Sequence, residues 1–203
     1  VLAVAAGAQP APAPLTLPEL MQRMAGTRGV EAAFLEVREV ALLASPLESR
    51  GRLYFLPPDR LARFTTAPGF TALLVDGERV RFRDSEGESD IDLSSNPAAR
   101  VFVDSFVPLW SGDLERLERL YETDFHAEGS DFRLELLPRR APLRHVIETI
   151  TLRGDDGGLR SIEVLDKDGD RTVTRFQGTR LDRPFSPEEI ERLFDRGLPL
   201  ADP

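Results

Sequence analysis

Hydrophobic positions first recur at helical spacing: Leu17, Leu20, Met21 and Met24 follow directly on Thr16-Leu17-Pro18-Glu19, a capping box with proline just inside it. The spacing predicts a short amphipathic helix ending near Gly26 or Gly29. From Val30 the period changes to two, and Val30, Ala32, Phe34, Glu36, Arg38, Val40 and Leu42 share one face of an extended strand reaching about Leu43. Leu35 and Val37 make the other face partly apolar too, so the pattern leaves open which face turns inward.

Five short strand-type runs follow, at 50–56, 60–66, 70–76, 78–83 and 88–93, separated by Pro57-Pro58-Asp59, Pro68-Gly69, Asp76-Gly77 and Asp84-Ser85-Glu86-Gly87. Such connections are too short for crossover helices, so the runs predict an antiparallel meander. The middle of the chain differs. Asn96-Pro97 reads as a helix start, with Val101, Phe102, Phe106, Leu109 and Trp110 on one face, and Gly112-Asp113 restarts a helix carrying Leu114, Leu117, Leu120 and Tyr121. Strands then resume at 121–126, 132–137, 144–152, 159–165 and 171–177, and Ser186-Pro187-Glu188-Glu189 opens a last helix through Phe194. About ten strands with segregated helices give an α+β fold. So many sequential antiparallel strands curl into an open half-barrel, whose hollow face needs a cover. The available cover is 17–24 together with 101–110.

Composition narrows the function. With 203 residues and 41% hydrophobic content the chain fits a single core, and we assign one domain to 15–203. No apolar run approaches the ~18 residues of a membrane-crossing helix. A net charge of -9 repels phosphate backbones, which argues against a nucleic-acid partner. Zero cysteines exclude disulfides, thiolate catalysis, thiolate metal sites and a lipid-modified cysteine. Residues 1–14 begin with a small apolar stretch ending in Ala6-Gly7-Ala8 and continue as an Ala/Pro-rich leader through Pro14. They read as a signal-peptide remnant, so that the mature, exported chain starts shortly after Ala8, or as an ordinary disordered leader. Neither belongs to the fold.

Several phrases resemble the periplasmic outer-membrane lipoprotein carrier family, the LolA-like proteins, as a divergent member. They are the strand with Phe34-x-Glu36-x-Arg38, the stretch from Gly51 through Phe55, Pro57-Pro58-Asp59-Arg60 and Arg63-Phe64, then Leu74-Val75-Asp76-Gly77, the helix start at Gly112-Asp113, and Gly129-x2-Phe132-x-Leu134-x-Leu136-x-Pro138. The resemblance, from residue 16 to about 177, implies an incomplete antiparallel barrel closed by helices around an apolar cavity for acyl chains. One feature departs from it: beside the proline after the second strand, where the family places a lid-holding arginine, this chain reads Leu56-Pro57-Pro58 and the nearest guanidinium is Arg60. That role is not transferred to Arg60.

The residues themselves suggest no catalysis. His126 and His145 lie in no recognised catalytic spacing. Asp166-Lys167-Asp168-Gly169-Asp170 has its glycine too early for a calcium loop and reads as a hairpin turn, as does Asp155-Asp156-Gly157-Gly158. Neither an enzyme activity nor a cofactor or metal is expected. Phe34, Phe55, Phe64, Phe82, Val101, Phe102, Phe106 and Trp110 lie on elements that would face one another, as a filled core or as the lining of a cavity. Glu36 and Arg38 share the side of Phe34 and are candidates for a polar mouth. The function expected is a monomeric periplasmic carrier that shields the acyl chains of a lipoprotein or other lipid between an inner-membrane donor and an outer-membrane acceptor, with 97–112 as a cover hinged near Pro108 and Gly112. The alternatives are a carrier of a small lipid, glycolipid or polyene-like molecule, and a periplasmic sensor with a filled half-barrel.

Overall fold

A computed structural model describes residues 15–200, apart from the side chains of Pro97, Ala98, Val101, Phe102, Ser105 and Phe106. The expected signal-peptide remnant and leader lie outside the described residues. Thr16 caps α1 (Leu17–Ala25) as the sequence predicts: its hydroxyl accepts from the Glu19 N–H, and the Glu19 carboxylate accepts from the Thr16 N–H at 2.9 Å. The buried face of α1 is Leu17, Leu20, Met21 and Met24.

Six strands follow, β1 (Val30–Glu39), β2 (Leu47–Leu56), β3 (Arg60–Ala67), β4 (Thr71–Asp76), β5 (Arg79–Arg83) and β6 (Glu88–Ile91). Then come α2 (Pro97–Ser111), α3 (Leu114–Leu120), β7 (Tyr121–Glu128), β8 (Asp131–Pro138), α4 (Leu143–Val146), β9 (Ile147–Asp155), β10 (Gly158–Asp166), β11 (Arg171–Arg180) and α5 (Pro187–Ile190), which runs into a π-helical turn at Glu191–Asp195. Two local expectations change: the first strand stops at Glu39, and 143–146 is helical ahead of β9 instead of extended.

The strands form one 11-stranded antiparallel sheet in the order β6-β5-β4-β3-β2-β1-β11-β10-β9-β8-β7. It is two meanders joined where the first strand pairs with the last, and that non-local pairing had no signature in the turn chemistry. Its consequence is topological. β6 and β7 become the two outer edges, and the α2–α3 segment that joins them crosses the inner face of the curled sheet.

Apolar side chains sort onto both faces. The inner face holds the main core, in which α1 to α4 meet residues of β1 to β5 and β7 to β11. The outer face holds a smaller cluster, where Tyr54, Ala62, Phe64, Ala72 and Leu74 pack under Leu193 and Phe194 of the π-helical turn. This C-terminal patch is anchored by a buried carboxylate: Glu31 pairs with Arg183 at 2.6 Å and Arg52 at 3.1 Å, and Arg183 also holds Glu189 at 2.6 Å. No helix among the described residues is long and apolar enough to cross a membrane.

α2 runs through Pro108 and ends at Gly112, which caps it in the left-handed region at φ 70°. A β-carbon there would come within 2.2 Å of the Met21 carbonyl oxygen on α1, so the position requires glycine for conformation and for close approach. Gly129, at φ 59° with nothing within 4 Å of a β-carbon, tests conformation alone. Gly129→Ala should cost about 1 kcal/mol, whereas Gly112→Ala should lose about 3 kcal/mol or more through added overpacking. Urea unfolding of the two variants measures this, and equal losses would show that α1 and α2 do not touch as described.

Candidate functional site

Register decides which face of β1 turns inward. Val30 lies opposite Phe55, Phe55 opposite Leu61, and Phe34 opposite Phe176, all within the main core. From the helical side Trp110 enters between them, its ring centroid 6.4 Å from Phe55 and 6.0 Å from Phe176, edge-on to the latter. Trp110 is fully buried, and its indole Nε1 has no hydrogen-bond partner among the described residues. Val103, Val107 and Leu109 of α2 are buried with it.

The expected lining divides. Phe34, Phe55 and Trp110 converge on the inner face, and Phe82 pairs in register with Leu73, which packs against the same core. Phe64 does not join them. It sits opposite Arg52 and Ala72 on the outer face, edge-on to Tyr54 at 6.0 Å. The reason is strand alternation: Leu61 faces in, so Phe64, three residues on, faces out. β3 is apolar on both faces, and composition alone hid the difference. The side chains of Val101, Phe102 and Phe106 lie outside the described residues.

Beyond Phe34 the inner face turns polar. Glu36 accepts from the Thr174 hydroxyl at 2.8 Å and pairs with Arg63 at 2.9 Å, and the Arg63 guanidinium stacks 4.2 Å from the centroid of Phe34. Glu36 and Arg38 thus share one end of the inner face but are not each other's partner, since Arg38 reaches Asp170 at 3.5 Å. Sequence reading missed Arg63, because its link to Glu36 spans strands. It also missed Asp104, a buried carboxylate on α2 held by Arg100 at 2.8 Å and by Arg116 of α3 at 3.3 Å. An aspartate four residues after an arginine, amid an apolar helix face, was the available signal. Arg100 also approaches Glu78 of the β4–β5 turn at 3.6 Å, which ties α2 to the sheet.

Arg60 points to the outer face, where it pairs with Asp195 and lies 5.2 Å from the Phe194 ring centroid, on the opposite side of the sheet from α2. His126 and His145 are exposed, and His126 pairs with Asp124 at 3.1 Å. No group of three potential metal-ligating side chains occurs among the described residues.

At the polar end, burial holds the Asp166 carboxyl above its ordinary value, Asp170 and Asp168 push the same way, and Arg38 opposes them. A carboxyl raised in the folded state costs stability when ionised; that cost is full above the folded value and vanishes below the unfolded one, about 3.9. Asp166→Asn should therefore raise the urea midpoint at neutral pH, and the gap to the parent chain should close as the pH falls below about 3.5. Equal midpoints at neutral pH would contradict this placement.

A search of curated protein sequences returned no match. Among solved structures, a LolA superfamily protein from Nitrosomonas europaea is similar at 12% identity and a TM-score of 0.47, covering 87% of this chain and 97% of that one. The Pseudomonas aeruginosa MucA/MucB complex aligns at 14% identity and a TM-score of 0.49, over 86% of this chain and 60% of that one. The Mycobacterium tuberculosis lipoprotein LppX aligns at 11% identity and a TM-score of 0.41, over 84% of this chain and 97% of that one. The family model for LolA-like outer membrane lipoprotein carrier proteins matches residues 8–190, and on that match the chain belongs to this family.

Proposed function

We propose that the protein is a periplasmic carrier which receives the acyl chains of a lipoprotein or lipid between α2 and the inner face of the sheet and passes them toward the outer membrane without bond chemistry. The observation that carries this reading is the seat of Trp110. α2 spans the inner face between the two free edges, and its buried side chains meet Phe55 and Phe176 through apolar contact. Magnitudes favour exchange: four buried apolar side chains are worth about 2 kcal/mol each, and an acyl chain of about 12 methylenes on the order of 10 kcal/mol. An acyl chain can therefore replace the helix face with little net change, as transfer between a donor and an acceptor requires. Phe34, Phe55 and Trp110 would line the acyl site and Glu36, Arg38 and Arg63 its polar mouth. The protein would work as a monomer with membrane-bound donor and acceptor partners.

The burial of Trp110 and Phe55 also suits the second reading, a sensor whose half-barrel never opens, and one experiment separates the two. The chain has no cysteine, so Arg100→Cys with Glu78→Cys supplies the only thiols, and Asp104 keeps Arg116 as partner. A reducible bis-maleimide across this pair pins α2 to the sheet. The open double variant should take up the apolar dye N-phenylnaphthylamine with micromolar affinity, the cross-linked form should lose at least about tenfold, and cleavage should restore uptake. Dye binding that ignores the cross-link, or no uptake in any form, contradicts the carrier.

A further inference from the structure

The outer face of the sheet carries a line of four arginines and one histidine that acyl shielding does not use. Register lays it out strand by strand. Arg50 on β2 faces Leu35 on β1, Leu35 faces Arg175 on β11, and Arg175 faces Ser161 on β10. Ser161 faces Arg153 on β9, Arg153 faces Arg133 on β8, and Arg133 faces His126 on β7. Residues paired across antiparallel strands project to the same face, so these seven positions form one line. Six strand steps of ~4.8 Å make it about 29 Å long. Its five basic side chains are all exposed in a chain of net charge -9.

Two of the five have acidic partners: Arg133 is held by Glu135, and His126 by Asp124 at 3.1 Å. No salt bridge among the described residues holds Arg50, Arg153 or Arg175. The line ends in clefts on both sides. At the β2 end a cleft of about 590 Å³ is lined by Leu35, Arg50, Arg52, Phe64 and Leu200 among others. At the β7 end one of about 610 Å³ is lined by His126, Arg133, Arg153 and Arg160 among others.

We propose that this line docks an extended acidic segment of a partner protein, about nine residues long at ~3.3 Å per residue, with an apolar side chain seated in the β2-end cleft against Leu35 and Leu200. The charge pattern selects a strand-like anion over an anionic membrane. Two residues along every strand runs a parallel acidic line, Glu48 on β2, Glu163 on β10, Glu135 on β8 and Asp124 on β7, in register through Val37, Val173 and Thr151. At ~3.4 Å per residue it lies about 7 Å away, inside a screening length of ~8 Å. A flat anionic surface would meet both lines and gain little, whereas a single extended chain meets the cations alone. Arginine forks also suit carboxylates, which they can hold through paired hydrogen bonds.

The probe is a fluorescein-labelled peptide of about ten residues, an N-terminal Leu followed by alternating Glu and Ser, read by anisotropy. The parent chain should bind it, and affinity should fall as salt rises from about 50 to about 200 mM. Arg50→Gln, Arg153→Gln and Arg175→Gln together should weaken binding by about tenfold or more. Arg23→Gln, Arg140→Gln and Arg144→Gln, which change the net charge equally away from the line, should not. Absence of peptide binding, or equal loss in both triple variants, overturns the proposal. So does row-dependent binding to phosphatidylglycerol vesicles in preference to the peptide, which would assign the line to a membrane.

Discussion

The pairing of β1 with β11 is the constraint on which the rest depends. It joins the first and last strands in the middle of the sheet and sends β6 and β7 to its edges. Those edges are consecutive in the chain apart from the helical segment, so α2 and α3 have to pass from one edge to the other, and burial of Val103, Val107, Leu109, Trp110 and Leu117 in the main core lays them across the inner face. The same pairing sets the inward face of β1, because Phe34 opposite Phe176 can only point into the cluster that Trp110 completes.

Along β1 the inner face changes character within a few residues. Val30, Ala32 and Phe34 are buried under the helices, then Glu36 and Arg38 are held by Arg63, Thr174 and Asp170. The inner face of β1 thus runs from an apolar, helix-covered stretch into an ion-paired one. The cover itself mixes two kinds of bond. Apolar burial supplies most of the attachment and is non-directional, so another apolar group can replace it. Arg100 holds Asp104 within α2, and the pair of Asp104 with Arg116 ties α2 to α3 so that the two helices act as one body. A buried aspartate with two arginines adds little net stability, but breaking it leaves an uncompensated charge, so the helices resist parting from each other more than from the sheet.

Much of this was legible in the sequence. Capping boxes, turn pairs and period-two runs place nearly every element, since they are local chemistry. The missing parts are non-local. Nothing within β1 or β11 announces their pairing, and β3, apolar on both faces through Leu61, Ala62 and Phe64, gives no local sign that Phe64 turns outward to Tyr54. Arg63 and Glu36 sit 27 positions apart and become neighbours only through the register of three strands. The helix at 143–146 was hidden in strand-like residues, because a four-residue helix carries no periodicity to detect.

The most direct measurement is amide hydrogen exchange, resolved along the chain, with and without a synthetic triacylated lipopeptide. A displaceable cover predicts that the α2 amides between Val103 and Trp110 exchange faster than those of β2 and β3 in the empty protein. On loading, their rates should change while the strand rates stay fixed. Strong protection of α2 equal to that of the strands, unaltered by the lipopeptide, would contradict a cover that yields to cargo.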